Sequence, residues 1–375
     1  MVIGVDASRA WSASGSGIHV YATRITAGLI ADPPAPLRLY WPHRRPPRQA
    51  PDLPTGSRWR CLPLPRGWTR LRLRLEVTRH PPDVLFVPAY RLPPGRLGRA
   101  VVSIQGIEHR LAAGAYPPRE RSRQEAFVID CLRRASAIIV PSETTRADLV
   151  EHLGADPDLL TVIPHAARDD LPDLDEAEAT AIRRRLGVRA PFILCVGGQH
   201  PRKNARFLVE VLADAGPGFP GQLVVTAVNR ERQGELMRAA RAAGVEDRVL
   251  CLGHADPGDL AALYQGALAV AIPSLYEGFG LPALEAMAAG VPVLANEVGG
   301  VQEIAAGSAL LVPVEDRSGW REALLRLAAE PQLRLHLAQL GRQRAARYSW
   351  AASVAAHRDL LLRELARSGD GSAHR

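Results

Sequence analysis

The 47 basic residues of this 375-residue chain comprise 46 arginines and a single lysine, Lys203. On a solvated surface the two cations are nearly interchangeable, so drift toward arginine explains most basic positions. They differ where a compact ammonium must meet a ligand, because the wide guanidinium fork needs another geometry. Lys203 follows the apolar run Phe192-Ile193-Leu194-Cys195-Val196, the pair Gly197-Gly198, and Arg202. A strand, a tight turn and two adjacent cations suit a phosphate; a chance survivor on a loop is the bland alternative. A second segment carries more chemistry. An apolar run ending at Ile272 leads through Glu277-Gly278-Phe279-Gly280-Leu281-Pro282 into a helix-forming stretch that contains Glu285 and is ended by Gly290 and Pro292. Glycine at 278 and 280 lets backbone N–H groups come close to a ligand. The helix N-terminus behind them favours a diphosphate. Glu277, in the loop, and Glu285, one turn inside the helix, could hold the hydroxyls of a sugar and of a ribose on either side of it. Taken singly, Glu277 reads as an ordinary loop residue and Glu285 as a partner of the helix dipole; the combination with Arg202 and Lys203 favours a site.

These segments need strands to present them, and strand-like runs alternate with helix-like ones throughout, the pattern of parallel sheets covered by helices. In the first half, residues 2–5, 37–41, 84–87, 101–104 and 137–140 read as strands, and 18–31, 118–135 and 143–153 as helices. The pattern breaks after Ile163-Pro164-His165 into an acidic linker, 169–175. A second series follows, with strands at 192–196, 222–227, 249–252, 269–272 and 293–295, and a closing amphipathic helix at 350–367. The expected domains are 1–168, 169–349 and a C-terminal helix and tail, 350–375. Two similar α/β halves place a ligand most naturally in a cleft between them.

Composition narrows the partners. No apolar run approaches the ~20 residues that cross a bilayer, and residues 1–6 read as a first strand rather than an export signal. The four cysteines, Cys61, Cys131, Cys195 and Cys251, are far apart and form neither a metal motif nor a disulfide framework, so a cytoplasmic location is expected. No His/Cys/Asp cluster has metal-ligand spacing. Asp156-Pro157-Asp158 and Asp173-Leu174-Asp175 read as solvated punctuation rather than metal sites. The net charge of +8 admits anionic partners. Arginines concentrate from Arg66 to Arg79, where Arg/Leu alternation suggests a strand and the flanking residues a basic helix. Either is a solvated face or a patch for an acidic membrane surface or a phosphorylated acceptor. With 5% aromatic residues, nucleic acid is not an expected partner.

With these motifs in place the chain resembles family 4 retaining glycosyltransferases of the GT-B fold. The likeness rests on Glu277 and Glu285 with seven residues between them, on Glu277-Gly278-Phe279-Gly280-Leu281-Pro282, and on Val196-Gly197-Gly198 with Arg202-Lys203-Asn204. Arg248-Val249-Leu250-Cys251-Leu252-Gly253, Leu260-Ala261-Ala262-Leu263-Tyr264, Pro273-Ser274-Leu275 and Tyr348-Ser349-Trp350 extend it. The resemblance implies two Rossmann-like parallel-sheet domains facing a central cleft, with the C-terminal helix packing back on the first. It implies that Arg202 and Lys203 clamp the donor diphosphate, assisted by main-chain amides at Gly278, Phe279, Gly280 and Leu281. Glu277 would hold the transferred sugar, Glu285 the ribose, and Leu252 and its neighbours the base. Gly15 and Gly17 resemble the family's Gly-rich loop near phosphate and acceptor, although a plain turn before a helix has the same sequence. Gln105 stands where the family usually carries a His expected to touch the donor sugar, and His165, where Asn is common, looks structural. No cofactor or metal is implied; the nucleotide sugar is a substrate. The first donor expected is GDP-mannose, by likeness to bacterial polysaccharide mannosyltransferases, with UDP-glucose or a UDP-N-acetylhexosamine as alternatives. The acceptor would be a growing glycan or a lipid-linked saccharide, with peripheral contact at the inner face of the membrane. A sugar-nucleotide epimerase and a non-catalytic nucleotide-sugar-binding protein are the rival readings.

Overall fold

The computed structural model describes residues 1–11, 17–64 and 67–370. The chain divides into two compact units. The first contains Met1–Ile107, Pro118–His165 and the chain from Tyr348 on; the second contains Glu108–Pro117 and Ala166–Arg347. The excursion at Glu108–Pro117 therefore departs from a simple division of the sequence at residue 168.

The first unit is built on a seven-stranded parallel sheet. Its strands are β1 (Ile3–Asp6), β2 (Leu37–Trp41), β3 (Arg58–Cys61), β4 (Val84–Val87), β5 (Arg99–Ser103), β6 (Ala137–Val140) and β7 (Leu160–Val162), in the order β3-β2-β1-β4-β5-β6-β7. β1, β4 and β6 are buried at every position, as a sheet covered on both faces requires. Sequence patterning missed β3 and β7, and both are edge strands. β3 reads Arg-Trp-Arg-Cys with no fully buried residue, so it lacks the apolar run of an interior strand. In the arginine-rich segment, Arg66 lies outside the described residues. Thr69–Leu73 forms a π-helical turn that runs into the α-helix Arg74–Arg79, so the helical alternative holds. Leu73 and Val77, four residues apart, are its buried contacts.

The C-terminal helix Trp350–Asp370 belongs to this unit and packs on the helix Gly17–Ala31. The approach is close: a Cβ at Gly28 would lie 2.3 Å from Val354 Cγ2. Glu364 is fully buried, accepting from Arg99 Nε at 2.8 Å and Ser136 Oγ at 2.5 Å. Deeper in, the Tyr21 hydroxyl lies 2.5 Å from Ser103 Oγ and 2.8 Å from His357 Nε2. His357 Nδ1 is 2.7 Å from the Ser353 carbonyl, which can only accept. Nδ1 therefore carries the proton, and Nε2 accepts from Tyr21.

The second unit has a six-stranded parallel sheet. Its strands are β8 (Phe192–Cys195), β9 (Gln222–Val225), β10 (Val249–Cys251), β11 (Ala269–Ile272), β12 (Val293–Ala295) and β13 (Leu310–Leu311), in the order β10-β9-β8-β11-β12-β13. The chain leaves β8 toward one edge and returns on its other side as β11. The carboxyl ends of β8 and β11 thus form the topological switch point, where loops diverge and leave a crevice. The acidic linker is partly structural. Asp175 caps the helix Glu176–Arg185 in a reciprocal box with Glu178; outside the linker, in the first unit, Asp156 likewise caps a 3-10 turn. Phe207 meets Trp320 edge-to-face at 5.4 Å in the core of this unit.

Burial lowers the pKa of His357 to about 4 and, with the neighbouring His357, that of His165 to about 3. Unfolded imidazoles bind protons below about pH 6.5, whereas these stay neutral in the fold. Their contribution to stability is present above pH 6.5 and lost as the pH falls toward 4, by up to about 1.4 kcal/mol per pH unit for each group. Urea unfolding measured between pH 7 and 4 should show this acid slope, and His357→Gln should make it shallower. An unchanged slope in the variant would remove His357 from the account.

Candidate functional site

Two loops at the switch point of the second sheet carry the charged residues. After β8, Gly197 adopts φ +83°, which a side chain would strain. His200 Nδ1 accepts the Arg202 amide at 3.1 Å and caps the 3-10 turn Pro201–Lys203. Asn204, at φ 52°, then turns the chain into the helix Ala205–Ala215. After β11, the Leu275 amide donates to the Arg202 carbonyl at 2.9 Å and ties the two loops together.

This backbone arrangement brings both cations onto one carboxylate. Lys203 Nζ lies 2.6 Å from Glu277 Oε1, and Arg202 Nη1 lies 3.1 Å from Oε2 while also donating to the Tyr276 carbonyl. Ser274 Oγ donates to Glu277 Oε1 at 2.6 Å. Glu277 is only 6% exposed. Burial alone would push its pKa up, but Arg202, Lys203 and the two side-chain hydrogen bonds outweigh that and hold it at about 2. Arg202 is raised above its ordinary value because the pull of Glu277, Glu108 and Tyr116 exceeds its own desolvation. Glu277 is therefore a permanent carboxylate, able to accept hydrogen bonds but not to donate a proton. The triad has one anion for two cations and keeps a surplus positive charge.

The loop that follows is shaped by glycine. Gly280 precedes the helix Leu281–Ala288 at φ +100°, gives it no side-chain cap, and would drive a Cβ to 2.6 Å from Val301 Cγ2. Gly278 and Phe279 are buried beside it. Behind the loop stands a pair that sequence reasoning missed, Gly299-Gly300. A Cβ on Gly299 would lie 2.2 Å from the Glu277 carbonyl, and one on Gly300 2.5 Å from the Gly278 carbonyl. The Gly300 amide donates to the Glu277 carbonyl at 2.8 Å. Consecutive glycines just after a strand were the available signal. Asn296, also missed, donates to the Ser274 carbonyl at 2.8 Å and accepts from the Val314 amide.

Glu285 occupies a different environment on the same helix. Its Oε2 accepts from the Tyr264 hydroxyl at 2.7 Å, and it is 8% exposed. Burial dominates here; the Tyr264 bond and the more distant Arg168 only partly oppose it, and its pKa is pushed up to about 7. Arg168 is held by Asp170 through bonds of 2.9 and 3.0 Å. Leu252 follows β10, with its amide donating to the Val225 carbonyl at 2.8 Å and its carbonyl accepting from the Val228 amide at 3.0 Å; it is half-buried.

The remaining sequence candidates lie in the first unit. Gly17 begins the helix Gly17–Ala31, and Gly15 lies outside the described residues. Gln105 follows β5, and its Oε1 accepts from His165 Nε2 at 2.6 Å. His165 is buried against the Tyr21 ring, 4.6 Å between centroids, and stacks toward Trp350 at 6.1 Å. With its carbonyl engaged, Gln105 keeps its amide NH₂ as the free-standing donor end. Among the described residues, no group of three His, Cys, Asp or Glu side chains could hold a metal ion, and no helix is long and apolar enough to cross a membrane.

Two parallel-sheet units, the second with a glycine loop and paired cations at its switch point, have the architecture of the GT-B fold. Residues 5–170 match the model for Glycosyltransferase Family 4, and residues 179–344 that for Glycosyl transferases group 1. The chain belongs to the family 4, group 1 glycosyltransferases. It is 34% identical over 263 residues to a D-inositol 3-phosphate glycosyltransferase of Salinispora arenicola, covering 65% of this chain and 58% of that one. It is 31% identical over 275 residues to the protein of that name from Corynebacterium efficiens, covering 67% and 62%. The chain thus spans less than two thirds of the length of these relatives. Among solved structures, sucrose-phosphate synthase from Thermosynechococcus elongatus superposes with a TM-score of 0.77 at 21% identity, over 98% of this chain and 100% of that one. Anabaena HepE in complex with UDP and glucose gives 0.73 at 18%, over 96% and 98%. At these identities the likeness is one of fold.

The glycine backing makes a test. Gly300→Ala should displace the Glu277–Phe279 backbone and cost more than about 1 kcal/mol, since a Cβ meets backbone rather than a flexible side chain. Thermal unfolding of the variant checks this, and an unchanged melting temperature would show that the loop has room to spare.

Proposed function

We propose that this protein is a retaining, metal-independent hexosyltransferase that moves a sugar from a nucleoside-diphosphate sugar to an acceptor hydroxyl. The carrying observation is the surplus positive charge of the Arg202–Lys203–Glu277 triad beside the glycine loop and the uncapped helix Leu281–Ala288. Arg202 and Lys203 receive the diphosphate and offset the charge that grows on it as the bond to the sugar's anomeric carbon breaks. Amides of Gly278, Phe279, Gly280 and Leu281 assist. Glu277, always ionised, accepts hydrogen bonds from the sugar hydroxyls. Glu285 accepts from the ribose, Leu252 packs near the base, and the Gln105 NH₂ contributes a donor to the sugar. The loop with Gly15 and Gly17 serves the phosphate and acceptor side. The acceptor hydroxyl attacks the face from which the diphosphate departs, and a phosphate oxygen of the leaving group takes its proton.

The first donor to test is GDP-mannose, followed by UDP-glucose and UDP-N-acetylhexosamines. A glycan or lipid-linked saccharide is the acceptor class the sequence favours. The names of the relatives add a phosphorylated cyclitol to the panel. Nucleoside diphosphate release should be seen with one donor and acceptor. Tight nucleotide binding without turnover against any acceptor would instead support a binding protein.

Lys203→Arg is the sharpest substitution, because arginine fills every other basic position except histidine sites. Turnover should fall at least about a hundredfold with the melting temperature little changed, since a fork cannot reproduce the point contact of an ammonium. Near-normal turnover would return Lys203 to chance.

Glu285 gives a pH test with a definite sign. A ribose donating to its carboxylate favours the ionised form, so nucleotide binding expels a proton from a group titrating at about 7. Affinity for the nucleoside diphosphate should weaken as the pH falls below 7, by up to about tenfold per unit. Calorimetry in buffers of different ionisation enthalpy measures the released proton. Glu285→Gln should abolish that release; persistence of the release would assign the proton to another group.

A further inference from the structure

The first unit has a cavity of 390 Å³ between the edge strand β3 and the helix Arg74–Arg79, with Trp59, Arg60, Cys61, Arg72, Arg79 and His80 among its walls. None of these residues belongs to the second unit. Glu76 provides the negative charge there, and it is already committed. Arg60 grips it through Nε at 2.7 Å and Nη2 at 3.0 Å, and His80 Nδ1 stands 3.5 Å from the same carboxylate. Arg72 and Arg79 have no ion-pair partner among the described residues, and the Arg72 Nε is buried without an acceptor. With Glu76 already held by Arg60, Arg72 and Arg79 bring two further cations to the cavity wall without a matching anion among the described residues, which favours an anionic occupant. The aromatic wall is firm: Trp59 meets Trp11 and Trp41 edge-on, with centroids 5.9 and 6.2 Å away. Leu75, also in the wall, is 39% exposed.

We infer that this cavity is an anion site, for the phosphate of an ester that Arg72 and Arg79 hold in fork geometry against the Arg60–Glu76 pair. Guanidinium groups bind phosphate through paired N–H donors, and the volume exceeds what a bare phosphate needs, leaving space for the group it is esterified to. The exposed Leu75 fits an apolar portion of that molecule. A soluble phosphate ester and a phospholipid headgroup share this chemistry. The inference is independent of the donor-site reading, because it uses no residue of the second unit.

Cys61 supplies a local reporter, since it is a free, half-buried thiol in the cavity wall, while Cys251 is a comparable free thiol in the other unit. The intact protein is alkylated with iodoacetamide and the rate at each cysteine is read by peptide mass spectrometry. Four conditions are compared at matched ionic strength: sodium chloride, glycerol 3-phosphate, phosphatidylcholine vesicles, and phosphatidylcholine vesicles containing phosphatidylglycerol. Phosphate ester should slow Cys61 several-fold relative to chloride and leave Cys251 unchanged. In Arg72→Gln/Arg79→Gln the concentration for half-protection should rise at least about tenfold; the exposed Arg79→Gln alone, which does not touch the fold's core, should give a smaller shift of the same sign. Protection by glycerol 3-phosphate without vesicle binding assigns a soluble ester. Protection by phosphatidylglycerol vesicles alone assigns a headgroup. Equal protection by chloride, protection that survives in the folded variants, or no protection by any phosphate overturns the site.

Discussion

The second unit is organised around one buried carboxylate. Burying Glu277 by itself would cost several kcal/mol, and the structure offsets this with an ammonium, a guanidinium and a serine hydroxyl drawn from two loops. Those loops come together because β8 and β11 are neighbours in the sheet although 73 residues of chain run from the end of one to the start of the other. The cost has a use. Arg202 and Lys203 are already oriented and largely stripped of water, so in the proposed role an incoming anion would meet fixed donors instead of solvated side chains. Gly299 and Gly300 belong to the same device, since only a bare backbone can pack this closely behind Glu277 and Gly278.

Glu277 and Glu285 show how environment divides the labour of identical side chains. Both are buried, and for both desolvation is the largest influence. Two adjacent cations reverse its effect on Glu277. Glu285 has a neutral tyrosine hydroxyl as its close partner and a cation already committed to Asp170, so burial wins. One carboxylate is fixed in charge; the other sits near the midpoint of its titration at neutral pH. The proposed donor site, which would bind an anion while accepting hydrogen bonds from sugar hydroxyls, has use for both.

The first unit is held by buried polar contacts that are distant in sequence. Glu364 joins Arg99 and Ser136, and Tyr21 joins Ser103 and His357. Each links the C-terminal helix to the body of the unit through groups that pay a penalty if left unpaired. The same network reaches Gln105 through His165, whose ring lies against Tyr21. The orientation of Gln105 is thereby set by residues remote from it in sequence.

Sequence by itself determined the sheet-forming runs, the family, and the types and spacing of Lys203, Glu277 and Glu285. Interior parallel strands are continuous apolar runs, and glycine before a helix is a local signal, so both are legible along the chain. It missed β3, β7 and β13, all edge strands, which need no such run, and it could not choose between strand and helix for the Arg/Leu repeat. That choice fell to burial of Leu73 and Val77. The return of the C-terminal helix was anticipated from family likeness, whereas the bonds that fasten it were not. The pairing of Glu277 with both cations, the opposite titration of Glu285, the glycine backing at 299–300 and the unpartnered arginines beside β3 were decided only by tertiary structure. Each depends on which segments meet and how much water is excluded where they do, and neither quantity is written in local sequence.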